Sequence, residues 1–403
     1  MNLDWLIVGG GIHGVHIAVR LLHEGDVDPE RLRIVDPGPR LLDVWRQRTA
    51  VTGMAYLRSP LMHHVDAHPY ALQSFASTYF RGDPDVLTPP NDRPSLGLFD
   101  AHCDHVLERA ELATKHVRDR VDSIEIDEHG ASVRLAGGGD LRAERVVLAI
   151  GAGDEVSWPS WAPRNHPRIQ HVFHADPSRG APGDRPVGVI GGGLTAAQVT
   201  LRLVRQRHRV ALISRYPLRT AQYDTAPGWL GPKFMRGYAR IGDVERRRSI
   251  ITRVRAHGSM PSDVRQSLRT AEKRGCVTLS VASVERLQDI GDGFRLSLSD
   301  EGQVEVDRLV LATGLRRERP GGALLDGLVA SASLPCAPCG FPIVDEALRW
   351  GSRLHVTASL AELELGPAAR NIAGARRAGE RILDALRAEA KRRATSRGRV
   401  RSR

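Results

Sequence analysis

Two glycine turns carry the residues whose types and spacing can do chemistry. The first, Gly9-Gly-Gly-Ile-His-Gly14, follows the apolar run Trp5-Leu-Ile-Val8 and opens a helical pattern through Val15, Ile17, Ala18, Leu21 and Leu22. Strand, Gly-x-Gly-x-x-Gly turn and helix together make a pyrophosphate site. The glycines (Gly9, Gly11, Gly14) let backbone approach phosphate, and the helix N-terminus supplies N–H donors and positive dipole. The next strand, Leu32-Arg-Ile-Val35, ends in Asp36, about twenty residues on, where a ribose hydroxyl needs an acceptor. The second turn, Gly191-Gly-Gly-Leu-Thr-Ala196, carries Gly191, Gly193 and Ala196 in the same three positions. Its next strand ends in Ser214 and Arg215 instead of an acid. A guanidinium pairs with the 2′-phosphate that a carboxylate would repel, so NADPH is expected there rather than NADH, with Arg219 as a second candidate or a solvated loop residue. One dinucleotide site with an acid and one with an arginine describe a flavoprotein, with FAD at the first turn, NADPH at the second, and hydride passing between them.

Other residues compete for a role. The loop Leu363-Glu-Leu-Gly366-Pro367 precedes Ala368-Ala-Arg-Asn-Ile372. Pro367 suits a first helical turn and Gly366 a close approach, so a helix over about 368–390 could point its N-terminus at the negative charge of a reduced flavin. His63, His64, Asp66 and His68 are the densest group of possible metal ligands. They lack helical i, i+4 spacing and run into Pro69, so no metal is expected; they line or cover the cleft, and His63 or His64 could act as a base. Cys336-Ala-Pro-Cys339 suggests exchange of electrons between a dithiol and flavin, the main enzymatic rival, although the pair follows the second glycine strand instead of preceding the second turn. Tyr223, Trp229 and Lys233 either shape a pocket or are packed.

These residues need a scaffold, and an internal repeat supplies it. Each strand, turn and helix is followed by short alternating strands and a fully apolar strand ending in glycine: Arg145-Val-Val-Leu-Ala-Ile-Gly151 in the first copy, Arg308-Leu-Val-Leu-Ala-Thr-Gly314 in the second. The fold class expected is α/β, with two Rossmann-like dinucleotide-binding domains, the NADPH domain inserted in the FAD domain, each with a small β-meander. The boundaries read as 1–155 for the first part of the FAD domain, 156–185 for a Pro-rich connection, and 186–315 for the NADPH domain. Residues 316–390 return to the FAD domain, and 391–403 form a basic tail expected to be disordered. The 403 residues suffice for two or three packed domains. No stretch has the roughly eighteen apolar residues of a membrane span. Seven basic residues and no acid lie between Lys391 and Arg403, leaving +4 of the +11 net charge for the rest. The charge is a tail, so nucleic acid is not the expected partner. Four cysteines without a signal peptide point to the cytoplasm.

The paired Gly motifs, the Ala-x-Gly strand ends at Gly151 and Gly314, and the stretch from Val44-Trp45 through Thr52-Gly-Met-Ala55-Tyr-Leu-Arg58-Ser-Pro60 resemble the flavin-dependent N-hydroxylating monooxygenases, the ornithine and lysine N-hydroxylase group. The similarity covers most of residues 1–385. In that family the stretch lies along the flavin and substrate pocket, which implies a place there for Trp45. Ala55 stands where the family has a glutamine and Arg58 where it has a lysine. The resemblance implies reduction of FAD by NADPH, capture of O2 as a flavin C4a-hydroperoxide, and oxygen transfer to a nitrogen or sulfur of a small metabolite, with Arg58, His63 and His64 as candidate catalytic residues. Two alternatives stay open: a dithiol/disulfide reductase or oxidase using Cys336 and Cys339, and a non-catalytic FAD-binding regulatory protein. The second is suggested by a more distant similarity to the vertebrate oxidative-stress-induced growth inhibitor proteins.

Overall fold

The computed structural model describes residues 2–174, 183–255 and 258–401. Its architecture follows from where apolar runs can be buried on both faces, which parallel central strands require. Asn2–Val8 is the middle of the first sheet, with Val8 opposite Val35 on one side and Leu148 on the other. The parallel order is 116–117, Leu32–Val35, Asn2–Val8, Asp140–Leu148, and then Leu354–Val356 beside the last residues of that strand. The first half of Asp140–Leu148 instead pairs antiparallel with Gly130–Leu135, which pairs with Val121–Asp127, so one long strand belongs to both sheet and meander.

The second sheet is entirely parallel: Val277–Val281, Val210–Ser214, Val187–Ile190, Leu309–Leu311 and Ile169–His171. Its meander, Val284–Asp289, Phe294–Leu298 and Gln303–Val306, is a separate three-stranded sheet. The second sheet is thus inserted between strands of the first, since Leu354–Val356 returns to pair with Val146–Leu148.

Three expectations need correction. The stretch 156–185 holds a strand, Ile169–His171, that extends the second sheet; three residues are too few to show alternation in sequence. Residues 175–182 of that stretch lie outside those described. The C-terminal helix begins at Ile372, four residues after Ala368, and runs to Arg401. Pro367 to Arg370 instead form turns, in which the Ala369 N–H bonds Gly366 O and the Asn371 N–H bonds Ala368 O. From Lys391 to Arg401 the basic stretch continues the helix rather than being disordered; it contains no proline, and Arg, Lys and Ala are strong helix formers. Among the described residues no helix is long and apolar enough to cross a membrane.

Candidate functional site

Both glycine turns deliver a helix N-terminus that no side chain caps. Ile12–Glu24 starts after Gly11 and Leu194–Arg205 after Gly193, and neither has a side-chain cap or an acid in its first turn. By contrast, the surface helix Val244–Val254 is capped by Asp243. Uncapped first-turn N–H groups call for a partner, and an anion at the positive end of the dipole is a suitable one.

The glycines divide the work. Gly9 has φ +109°, and a Cβ there would lie 2.5 Å from the carbonyl oxygen of Ala149; Gly14 would drive a Cβ into the carbonyl oxygen of Gly9. These two hold strand and helix together. A Cβ on Gly11 would meet no protein atom within 4 Å, so its position faces the space a ligand would fill. In the second turn Gly191 has φ +145° and abuts Ala312, while Gly193 faces Gly258. Gly151 and Gly314, at the carboxyl ends of the paired strands, have φ +68° and +85° and open space beside them.

The strand ends differ as the sequence indicates. Asp36 accepts from Gly10 N at 2.6 Å through one oxygen and from Gly38 N at 2.8 Å through the other. Each oxygen keeps a further acceptor site for a ribose hydroxyl. Ser214 is buried against Gly192 and donates its hydroxyl to Tyr216 O at 2.7 Å, which commits it to the turn. Arg215 is exposed, its guanidinium 5.8 Å from the Tyr216 ring centroid, and it has no ion pair among the described residues.

Several candidates have other tasks. Arg58 donates to Gln222 O and Ala221 O, both at 2.7 Å, and to Ser259 Oγ at 2.8 Å. It ties the two units together and lines a cavity of about 200 Å³ between them, with Tyr56, Arg93, Gln198 and Arg205. His64 donates from Nε2 to Pro69 O at 3.0 Å while Nδ1 accepts from Asp66 N, so both ring nitrogens are used within its own loop and it is not a base. Burial holds it neutral, lowering its pKa to about 4. His63 has no such commitment and is lowered to about 4 by burial and by Arg376. Trp45 donates to Asp100 Oδ1 at 3.1 Å and rests on Phe99, fixing one helix to another. A Cβ on Gly366 would lie 3.0 Å from Met235 Sδ, so that glycine permits a close protein contact. Among the described residues no group of side chains is placed to hold a metal ion.

The element that meets Gly366 was not foreseen in the sequence analysis. A helical insertion follows: a 3-10 turn Pro227–Leu230, then the helices Pro232–Ala239, Val244–Val254 and Ser262–Lys273. Its first helices cover the loop 358–371. Glu362, fully buried, pairs with Arg248 from the insertion and with Arg370 at 2.7 Å. Glu364 pairs with Arg247 at 2.7 Å and Arg381 at 2.6 Å. Tyr238 donates to Leu363 O at 3.0 Å. Asp224 joins Arg255 and Asn371, each at 2.9 Å, and Arg93, also absent from the sequence reading, ties to Asp263 at 3.0 Å. Local start signals are present, Pro232 in the first turn of one helix and the Asp243 cap of the next, but neither says what the helices pack against. Cys336 and Cys339 lie in a turn whose Ala337 and Phe341 pack against this insertion. A second cavity of about 310 Å³, lined by Asp66, Phe75, Tyr79, His102, His105 and Arg109, includes neither turn.

Residues 6–153 match a family model described as FAD-NAD(P)-binding. No curated protein matches the chain in sequence. Solved structures share its fold over nearly the whole length. Ornithine hydroxylase (PvdA) from Pseudomonas aeruginosa gives a TM-score of 0.75 at 16% identity, over 96% of this chain and 99% of that one. The cadaverine monooxygenase DfoA of the desferrioxamine pathway from Erwinia amylovora, solved bound to FAD, gives 0.74 at 17%, over 96% and 94%. The ornithine N-hydroxylase KtzI from Kutzneria sp. 744 gives 0.74 at 16%, over 97% and 100%.

Proposed function

We propose that the chain is a cytoplasmic FAD-dependent, NADPH-using monooxygenase that oxygenates a nitrogen, or a sulfur, of a small metabolite. The observation that carries the reading is the pair of uncapped glycine turns with an acid after one and an exposed arginine after the other. Gly9, Gly11 and Gly14 with the N-terminus of Ile12–Glu24 would hold the FAD pyrophosphate, and Asp36 its ribose. Gly191, Gly193 and the N-terminus of Leu194–Arg205 would hold the pyrophosphate of NADPH, with Arg215 on its 2′-phosphate. When bound, FAD accepts hydride from NADPH and supplies the means of activating oxygen.

The rest of the chain has positional work, which this chemistry needs more than it needs a side-chain nucleophile. Arg58 fixes the loop 52–60 to the second unit by three donated bonds, so it is a positioning residue. The Glu362 and Glu364 ion pairs to Arg248 and Arg247 seat the helical insertion over loop 358–371. His63, lowered to about 4 by burial and by Arg376, is neutral near pH 7 and too weak a base to take a proton from a substrate ammonium.

The solved structures of this fold include enzymes described as acting on ornithine and cadaverine, so terminal amines head the substrate panel. The test is oxygen uptake by the FAD-loaded protein with NADPH against NADH, with mass analysis of amines and sulfides. Hydroxylamine or sulfoxide formed in step with NADPH consumption supports the reading. Hydrogen peroxide equal to the NADPH consumed, with every compound unchanged, opposes it.

A further inference from the structure

The Cys336-x-x-Cys339 motif plays no part in the proposed chemistry, and its surroundings are built rather than incidental. All four cysteines are free thiols; Cys339 is exposed, Cys336 half-buried. They flank Ala337 and Pro338 in a turn closed by Gly340 N to Ala337 O at 2.8 Å and Ala337 N to Phe341 O at 2.9 Å. The turn is anchored behind, where Trp350 Nε1 donates to Pro335 O at 2.8 Å and Ile343 N donates to the same oxygen at 3.0 Å. Two guanidinium groups serve the pair: Arg248 is in electrostatic reach of Cys339, and Arg319 of Cys336. Burial holds the Cys336 thiol above its ordinary pKa despite Arg319, so Cys336 is the sulfur that keeps its proton, while Cys339 is the one exposed to a small oxidant.

The turn also belongs to the seat of the helical insertion. Ala337 and Phe341 are buried in one cluster with Tyr238, Ile251 and Leu363. The Arg248 guanidinium lies 4.2 Å from the Phe341 ring centroid while it pairs with Glu362. A change in the turn therefore reaches the contact that holds the insertion over loop 358–371.

We infer that Cys336 and Cys339 are a redox modification site, closed to a disulfide by hydrogen peroxide and opened by small thiols, and that closure loosens the helical insertion. The Cys339 thiolate attacks one oxygen of peroxide; an S–O bond forms, the O–O bond breaks and hydroxide leaves, giving a sulfenic acid. The Cys336 sulfur then attacks the Cys339 sulfur; S–S forms, S–O breaks, and the Cys336 proton leaves with the hydroxyl as water. Two thiols and one peroxide thus become one disulfide and two waters. Drawing the two sulfurs together pulls on Phe341 and releases Arg248 from the ring.

The test uses the full-length, FAD-loaded protein treated with hydrogen peroxide, then alkylated and digested. Loss of alkylation at both Cys336 and Cys339, a mass lower by two hydrogens in the peptide carrying them, and recovery of both thiols by dithiothreitol are expected. Tryptic cleavage within 246–253 of the undigested protein should be faster after oxidation in the wild type and unchanged in Cys339→Ser and Cys336→Ser. Sulfinic acid at Cys339 without a disulfide, or first oxidation at Cys276, would overturn the assignment. An unaltered cleavage rate in the disulfide form would overturn the coupling. Neither readout depends on turnover, so both stand apart from the monooxygenase reading.

Discussion

The two glycine turns are copies of one device tuned differently. In the first, the third glycine is obligatory because a Cβ on Gly14 would overlap Gly9 O. In the second, Ala196 occupies that position, buried and unstrained inside Leu194–Arg205. The strand ends diverge as well: Asp36 is tied back to its own turn by Gly10 N, whereas Ser214 is consumed locally and Arg215 projects to solvent. In the function proposed above, the backbone motif sets the place of a pyrophosphate, and one residue at the end of the next strand selects the nucleotide. A sequence carries both kinds of information at different ranges.

The comparison can be broken hardest at its third position. Gly14→Ala should destabilise the fold by roughly 3 kcal/mol or more, because backbone must move to admit the methyl; a thermal melt within a degree of wild type would show the turns to be equivalent after all. Acid should separate the units next. Burial lowers His13, His63, His64 and His355 to about 4 and His102 to about 3 in the first unit, against His171, at about 4, and His208 in the second. These rings are neutral in both folded and unfolded chains above pH 6.5. Between 6.5 and about 4 the unfolded chain takes up protons that the folded one refuses, so stability falls as pH falls through that window. Hydrogen exchange at pH 5 should open Asn2–Val8 relative to pH 7 more than it opens Val187–Ile190, and equal change in both would count against the burial argument.

Gly11→Val should leave the melting temperature of the apoprotein unchanged, since no protein atom is near, while FAD affinity falls on the order of a hundredfold through loss of the phosphate cradle. Full flavin occupancy after gel filtration would remove the first turn from the site. Arg215→Ala should raise the NADPH KM about tenfold and leave the NADH KM in place, as befits loss of one charge-assisted bond; equal effects on both would take Arg215 off the 2′-phosphate. Smallest of all, Ala196→Gly should cost about 1 kcal/mol, the ordinary penalty for glycine inside a helix, measured by denaturant unfolding.

What the sequence disclosed is short in range. Glycine spacing, apolar runs and a strand-ending acid or arginine are patterns within about thirty residues, and the turns, sheets and meanders were legible from them. The helical insertion was not, because its helices owe their place to partners more than a hundred residues away: Arg248 to Glu362, Tyr238 to Leu363, Arg247 to Glu364. The helix start at Ile372 escaped for a related reason. Pro367 signals a first turn locally, but the Gly366 contact with Met235 and the turns through Arg370 delay it. Arg58 and Trp45 show the same limit. Their positions along the chain resemble a flavin-facing stretch, while their hydrogen bonds run to Ala221 and Gln222 in one case and to Asp100 in the other.

The division of labour between the turns is tested most directly by stopped-flow absorbance of the FAD-loaded protein, reduced anaerobically with NADPH and then mixed with oxygenated buffer. Rapid bleaching by NADPH, slower bleaching by NADH, and a lasting band at roughly 370 to 380 nm before oxidised flavin returns, a property of the cofactor, are predicted. Immediate return to oxidised flavin without that band, or reduction indifferent to the 2′-phosphate, would contradict it.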